Sequence, residues 1–264
     1  MYSMSSAVRT NKGNIRQNNE DNFYIYDTYA QIEEADTGCA HRKFVNDDFQ
    51  IYAICDGMGG CDLGEVAAYT VVSHLNQLKD LLKTTDKKLL SEQVKSFLES
   101  MNTKCREIIT TEIGTGCTIA MICIIKKHIY VVNAGDSRVY LWQKSKFTQL
   151  TYDHTYAQLL YSNGEITKES MAAHPQNNVL IQYIGIPETY IFDPYISMPF
   201  KIKRGDTFIL CSDGLTDMVD DDNISETLLQ FDAPFEICKS LISKALSKGG
   251  EDNVTVMAVK CINC

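Results

Sequence analysis

Short bursts of aromatic and β-branched residues punctuate the chain and predict most of its strands. Residues 22–27 (NFYIYD), 49–55 (FQIYAIC), 117–125, 128–134, 138–142, 190–196, 207–211 and 253–259 all read as extended segments. Lys126 and Lys127 mark a hairpin turn between two of them, and Gly135 and Asp136 break the chain before the next. A meander of this kind predicts a largely antiparallel sheet. Helical spacing is confined to four places. Leu63, Ala67, Val71, Leu75, Leu78 and Leu82 recur on one face over 63–82, and Val94, Leu98, Met101 and Cys105 do so over 90–109. A third helix starts near Asp222, and a fourth spans 234–248, with Pro234 in its first turn and two glycines at its end.

Two helices early, two late and many strands between predict an α+β fold, a sandwich of two sheets with helices over both outer faces. Residues 28–48 are polar and irregular and read as a surface insertion or hairpin extension. Residues 154–176 mix short helical pieces with turn residues such as Asn163, Gly164 and Pro175, and read as a flap. No Ser- or Pro-rich linker interrupts the 264 residues, so one domain over 1–264 is expected.

Charge narrows the partners. A formal net charge of -9 and a pI of about 5.1 repel nucleic acid and anionic lipid, so neither is expected as a partner. No apolar run approaches the roughly 18–20 residues of a spanning helix. The first residues, MYSMSSAVRTNKGNIRQNNED, lack the apolar core of a signal peptide. Of the ten cysteines, most, such as Cys55, Cys123 and Cys211, lie in apolar runs, where they read as reduced, buried residues of a cytoplasmic protein. Cys261 and Cys264 form a C-x-x-C, but no second pair at zinc-finger spacing accompanies them.

Chemistry is concentrated where strands meet acids. Asp56 ends IYAICDGMGG, Asp136 ends VVNAGDSR and Asp213 ends FILCSDG; Asp252 precedes the last strand, and Glu20 and Asp21 precede an early one. Any one such acid reads as a turn residue. Several at strand ends of one sandwich can converge on a single rim. Clustered carboxylates stay charged only beside a cation, and an all-oxygen donor set selects hard ions, Mg²⁺ or Mn²⁺. Two such ions can activate a water for displacement at phosphorus. Gly57, without a side chain, lets its own carbonyl approach a metal. Arg16 carries a guanidinium able to fork onto phosphate oxygens.

These segments, taken in order, resemble the PPM family of type-2C serine/threonine protein phosphatases, and its compact bacterial-type members in particular. The resemblance rests on Gly13, Asn14, Ile15 and Arg16 through Asn19, Glu20 and Asp21, then on Asp56, Gly57, Met58, Gly59 and Gly60 with Gly64 and Glu65 beyond. Gly116, Cys117 and Thr118 follow, then the runs AGDSR ending at Arg138 and LTYDH ending at His154. SDGL at 212–215 and GEDNVT at 250–255 complete the set. It implies an α-β-β-α sandwich with a binuclear centre at one end. By that analogy Asp56 bridges two ions, Asp213 and Asp252 hold one, and Glu20 and the Gly57 carbonyl hold the other. Asp136, with Asp213, would form a weaker third site. Asp21 would orient a metal-bound water or accept its proton, and Arg16 would hold the substrate phosphate. Water or hydroxide would then attack phosphoserine or phosphothreonine directly, without a phosphoenzyme, in a monomeric enzyme opposed by a serine/threonine kinase.

Four positions depart from the pattern. Met58 stands where many eukaryotic members have a His, Cys61 where bacterial members often have one, and Ile181 and Gln182 replace a common Thr-Arg pair. Leaving-group protonation is therefore unassigned; His154 and His174, near the flap, are secondary candidates. A dinucleotide site over 51–72 fails because Asp62 falls where the third glycine belongs. An EF-hand over 217–226 fails for want of the central glycine. Two other functions compete with the protein phosphatase: a catalytically silent binding module, and a phosphatase of small metabolites.

Overall fold

The computed structural model describes residues 2–59, 63–108 and 115–263, so Gly60, Cys61, Asp62, Ile109 and Cys264 lie outside the described residues. The chain begins with strand β1 (Tyr2–Asn11), followed by β2 (Asn22–Ile25), β3 (Thr28–Tyr29), helix α1 (Ile32–Thr37) and β4 (Ala40–Asp47). Next come β5 (Phe49–Cys55), β6 (Gly57–Met58) and the long helices α2 (Gly64–Thr84) and α3 (Leu90–Ile108). A run of strands follows: β7 (Gly116–Cys117), β8 (Ile119–Ile125), β9 (His128–Ala134), β10 (Arg138–Gln143) and β11 (Lys146–Gln149). Short helices α4 (Tyr156–Ser162) and α5 (Lys168–Ala172) precede β12 (Tyr195–Ile196) and β13 (Thr207–Cys211). Helices α6 (Asp213–Thr216), α7 (Asp221–Gln230) and α8 (Pro234–Ser247) lead to β14 (Val254–Asn263).

Two six-stranded sheets form, in the orders β11-β10-β13-β14-β1-β4 and β12-β9-β8-β5-β2-β3, and every pairing in them is antiparallel. Three apolar layers hold the four structural layers together. Phe23, Tyr52, Ile122, Phe208 and Met257 fill the space between the sheets. Ile51, Ala53, Met121 and Cys123 face α2 and α3, while Ile209, Val256 and Ala258 face α7 and α8. Successive residues of β5, β8 and β14 thus serve opposite layers. This is why these strands read as unbroken apolar runs, and why a slip of one residue would exchange both faces at once. The α-β-β-α order inferred from the sequence is the order observed.

Three segments differ from their sequence reading. β1 was not anticipated, because Ser3, Ser5 and Ser6 interrupt its apolar residues; its Met4 and Val8 are nevertheless fully buried, and it joins β14 to β4. Residues 28–48 supply β3, α1 and β4, and β4 closes the edge of the first sheet. Within 190–196, only Tyr195 and Ile196 pair with a neighbour, on β9.

Candidate active site

At one end of the sandwich, the links after β1, β5, β9 and β13 and before β14 surround a cleft of about 310 Å³. Glu20, Asp56, Asp136, Asp213 and Asp252 line it, together with the Gly57 backbone and Arg16. Seven of the eight residues singled out in the sequence therefore share one wall. Asp21 does not: it is 1% exposed and lies behind that wall.

The segment carrying Arg16 and Glu20 is fixed from the far end of the chain. Asn253 donates to the carbonyls of Lys12 and Asn18, both at 2.9 Å, and accepts the Glu20 N–H at 2.8 Å. Asn14 donates to the carbonyls of Leu246 and Gly249, and its own N–H reaches the Gly250 carbonyl. Arg16 Nη2 then meets Asp252 Oδ2 at 2.6 Å. Asp56 is held in turn by Thr118, whose hydroxyl accepts the Asp56 N–H at 3.1 Å and contacts Ser137 Oγ at 2.7 Å. One hydroxyl pair thus ties the Asp56 turn to the Asp136 turn. Glycine is required where Glu20 meets α2. A Cβ on Gly64 would stand 2.5 Å from Glu20 Oε2 and 2.8 Å from the Gly57 carbonyl carbon.

Electrostatics in the cleft are one-sided, with five carboxylates facing a single guanidinium. Burial, then the fields of Asp21, Asp213, Asp136 and Asp252, hold the Asp56 carboxyl well above the usual carboxylate range. Burial and Asp213 do the same to Asp136. Burial, Asp217 and Asp252 push Asp213 up to about 6, and Asp56 stands within its hydrogen-bonding reach. Burial raises Asp21 to about 7, against hydrogen bonds from Thr255 and Ser212; the Ser212 hydroxyl donates to its Oδ2 at 2.7 Å. The other oxygen of Asp21, Oδ1, is buried without a partner. Burial also raises Glu20.

Hard divalent ions fit this site. Every side-chain donor is oxygen, the negative charge is largely uncompensated, and one buried carboxylate oxygen lacks a hydrogen bond. Among the described residues no three His, Cys, Asp or Glu side chains are already gathered as a metal cage. The acids ring the cleft instead of closing on one point.

A second cavity of about 480 Å³ adjoins the cleft through Asp136, Asp213 and Asn178. Its wall includes Thr155, Gln158 and Met171 from the 154–176 segment. Asp153 there accepts from Arg138 Nε at 2.9 Å and from Nη2 at 2.6 Å, and Arg138 Nη1 reaches the Tyr140 hydroxyl at 3.0 Å. His154 exchanges bonds with Gly135: its N–H donates to the Gly135 carbonyl, and its Nδ1 accepts the Gly135 N–H at 3.2 Å. That pairing braces the turn carrying Asp136. His174 lies outside the cleft wall, where its Nδ1 accepts the Gln176 N–H. Sequence reasoning gave no role to Asn253, Thr118, Ser137, Ser212 or the Arg138–Asp153 pair. Most lie inside the quoted motifs, and their being polar beside a strand was the available signal.

Comparison with known proteins agrees. A family model, protein phosphatase 2C, matches residues 14–160. The serine/threonine phosphatase stp of Listeria monocytogenes is 33% identical over 264 residues, covering 97% of this chain and 96% of stp. Serine/threonine protein phosphatase PstP of Mycobacterium tuberculosis is 32% identical over 260 residues, covering 97% of this chain and 45% of PstP. The crystal structure of that phosphatase matches with a TM-score of 0.78 at 30% identity, covering 99% of this chain and 100% of its own. The PstP catalytic domain in complex with two manganese ions matches over 100% of both chains, with a TM-score of 0.77 and 30% identity. Among the described residues no helix is long and apolar enough to cross a membrane. With its ordered motifs, its layered sandwich and its acid-lined cleft, this chain belongs to the protein phosphatase 2C family, the metal-dependent serine/threonine phosphatases.

Proposed function

We propose that residues 1–264 form one catalytic domain that dephosphorylates phosphoserine and phosphothreonine in proteins, opposing a serine/threonine kinase, as a cytoplasmic monomer. The observation carrying this reading is the meeting of Glu20, Asp56, Asp136, Asp213 and Asp252, from five separate segments, around one cleft with Arg16 at its mouth. Mn²⁺ or Mg²⁺ bound there supplies an acidic water for attack on phosphorus and positive charge to match the phosphate. Asp56, Asp213 and Asp252, with Glu20 and the Gly57 carbonyl, would hold two such ions. Asp136, with Asp213, is assigned to a weaker third.

The remaining roles fall to Asp21 and Arg16. Asp21, raised to about 7 and anchored by Ser212, is suited to hold or release a proton near neutral pH. Arg16 pairs with Asp252 at 2.6 Å. Its planar guanidinium, at the cleft, is suited to fork onto the substrate phosphate. No group is assigned to protonate the leaving oxygen, since Met58 offers no proton. Retention of every assigned side chain favours catalysis over a silent binding role.

The test is hydrolysis of p-nitrophenyl phosphate and of a phosphothreonine peptide with Mn²⁺, then with chelator. Activity should vanish with chelator and in Asp56→Ala and Asp252→Ala, while circular dichroism stays that of the wild type. Full turnover by either variant at trace metal would overturn the assignment. A kcat/KM for the peptide no greater than for small phosphomonoesters would move the substrate to small metabolites.

A further inference from the structure

β4 is the terminal strand of its sheet, so alternate N–H and C=O groups along Ala40–Asp47 point away from β1, and among the described residues no further strand receives them. Its Arg42 and Phe44 stand opposite Ala7 and Ser5, on the outer face of the sheet beside the start of α8. Phe44 is 67% exposed. Together with Ser5, Ala7, Pro234 and Phe235 these two residues line a groove of about 300 Å³. The Arg42 guanidinium lies 3.4 Å above the centroid of the Phe235 ring, and Arg9 approaches the same ring at 5.7 Å.

Stacking on an aromatic face fixes the plane of a guanidinium and leaves its N–H edge free to take a carboxylate. Among the described residues neither Arg42 nor Arg9 makes an ion pair, and Arg9 Nε is buried without a hydrogen-bond partner. Two uncompensated guanidiniums on one ring are notable in a chain of net charge -9. The neighbouring Lys43 is different, being paired with Asp27 at 3.0 Å. A second copy of the chain is a poor occupant, because edge-to-edge pairing would set His41, Arg42 and Lys43 near their own images. Nucleic acid is opposed by the overall charge.

We propose that the outer edge of β4 docks an extended, acidic segment of a protein partner. The segment adds a strand to the sheet, lays carboxylates on Arg42 and Arg9, and covers Phe44, on the far side of Arg42 from Arg9, with an apolar residue of the same face. The site lies on a different edge from the catalytic cleft and does not depend on the phosphatase reading.

A fluorescently labelled peptide of about ten residues, with Val, Glu and Glu at successive alternate positions and Thr between them, probes it by anisotropy, with Lys in place of Glu as control. Binding of the Glu peptide alone is expected, weakened at least tenfold by Arg42→Glu and by raising salt from about 50 to 500 mM. Amide exchange within 40–47 should slow on binding. Unchanged hydrolysis of p-nitrophenyl phosphate by Arg42→Glu would show that the variant is folded. Equal binding of both peptides, indifference to Arg42→Glu, or protection elsewhere than 40–47 would overturn the proposal. So would a dimer in sedimentation that Arg42→Glu dissolves, since β4 would then pair with its own copy.

Discussion

Asn253 shows how much of the site depends on side chains that carry no charge. Its amide holds two carbonyls and one N–H of the segment carrying Arg16 and Glu20. Asn253→Ala should lower Mn²⁺ affinity by roughly 10–100-fold, the usual loss when a supporting partner is removed, as read by isothermal titration. Arg138 and Asp153 form a largely enclosed, forked ion pair. Removing one partner strands the other, so Asp153→Ala should cost about 3 kcal/mol in urea unfolding, and a further Arg138→Met should return part of it. His154 carries a pH signal. Burial lowers its pKa, and its Nδ1 accepts the Gly135 N–H, which a protonated ring cannot do. The fold favours the neutral ring, so this contribution is complete above the unfolded-state value of about 6.5 and is lost as pH falls below it. Urea midpoints measured between about pH 7 and 5 should fall less steeply in His154→Gln than in the wild type. None of these contacts was legible beforehand, because each joins residues that only folding brings together.

At the scale of elements, the start of α2 is where helix and site meet. Gly64 opens that helix directly against Glu20 and the Gly57 carbonyl, with no room for a methyl group. Gly64→Ala should displace Glu20 or the helix, weakening Mn²⁺ binding at least tenfold, while circular dichroism shows the helix content retained. Undiminished affinity would mean that Glu20 is not held by this approach. The long helices and the apolar strands were legible because period and burial coincide: a strand buried on both faces is a continuous apolar run, and a helix on a sheet shows one apolar stripe. β1 and β4 were not. β1 packs serines among its buried residues, and β4 is an edge with alternate residues in water, so neither carries enough apolar signal to stand out.

For the molecule as a whole, the cleft sets stability against function. Asp21, Asp56 and Asp213 are crowded with one another's charge in a desolvated site. Without divalent ions that crowding opposes folding; with them it becomes binding energy. Mn²⁺ at about 100 times its dissociation constant should add about 2.7 kcal/mol per site, seen as a rise in melting temperature that chelator reverses. In chelator, Asp56→Asn should be more stable than the wild type by about 0.5–2 kcal/mol while losing activity; a less stable variant would show that the carboxylate is structurally supported rather than strained. Alternation, helical spacing and acids at strand ends, all local properties, were enough to determine the layered fold and the identity of the cleft's acids, while the family came from the resemblance of the ordered motifs to known phosphatases. Tertiary structure alone decided that Asp21 stands behind the cleft, that Arg16 meets Asp252, and that Asn253 and Thr118 hold the frame. Those relations join residues up to two hundred or more positions apart, and distance in space leaves no periodic trace along a single chain.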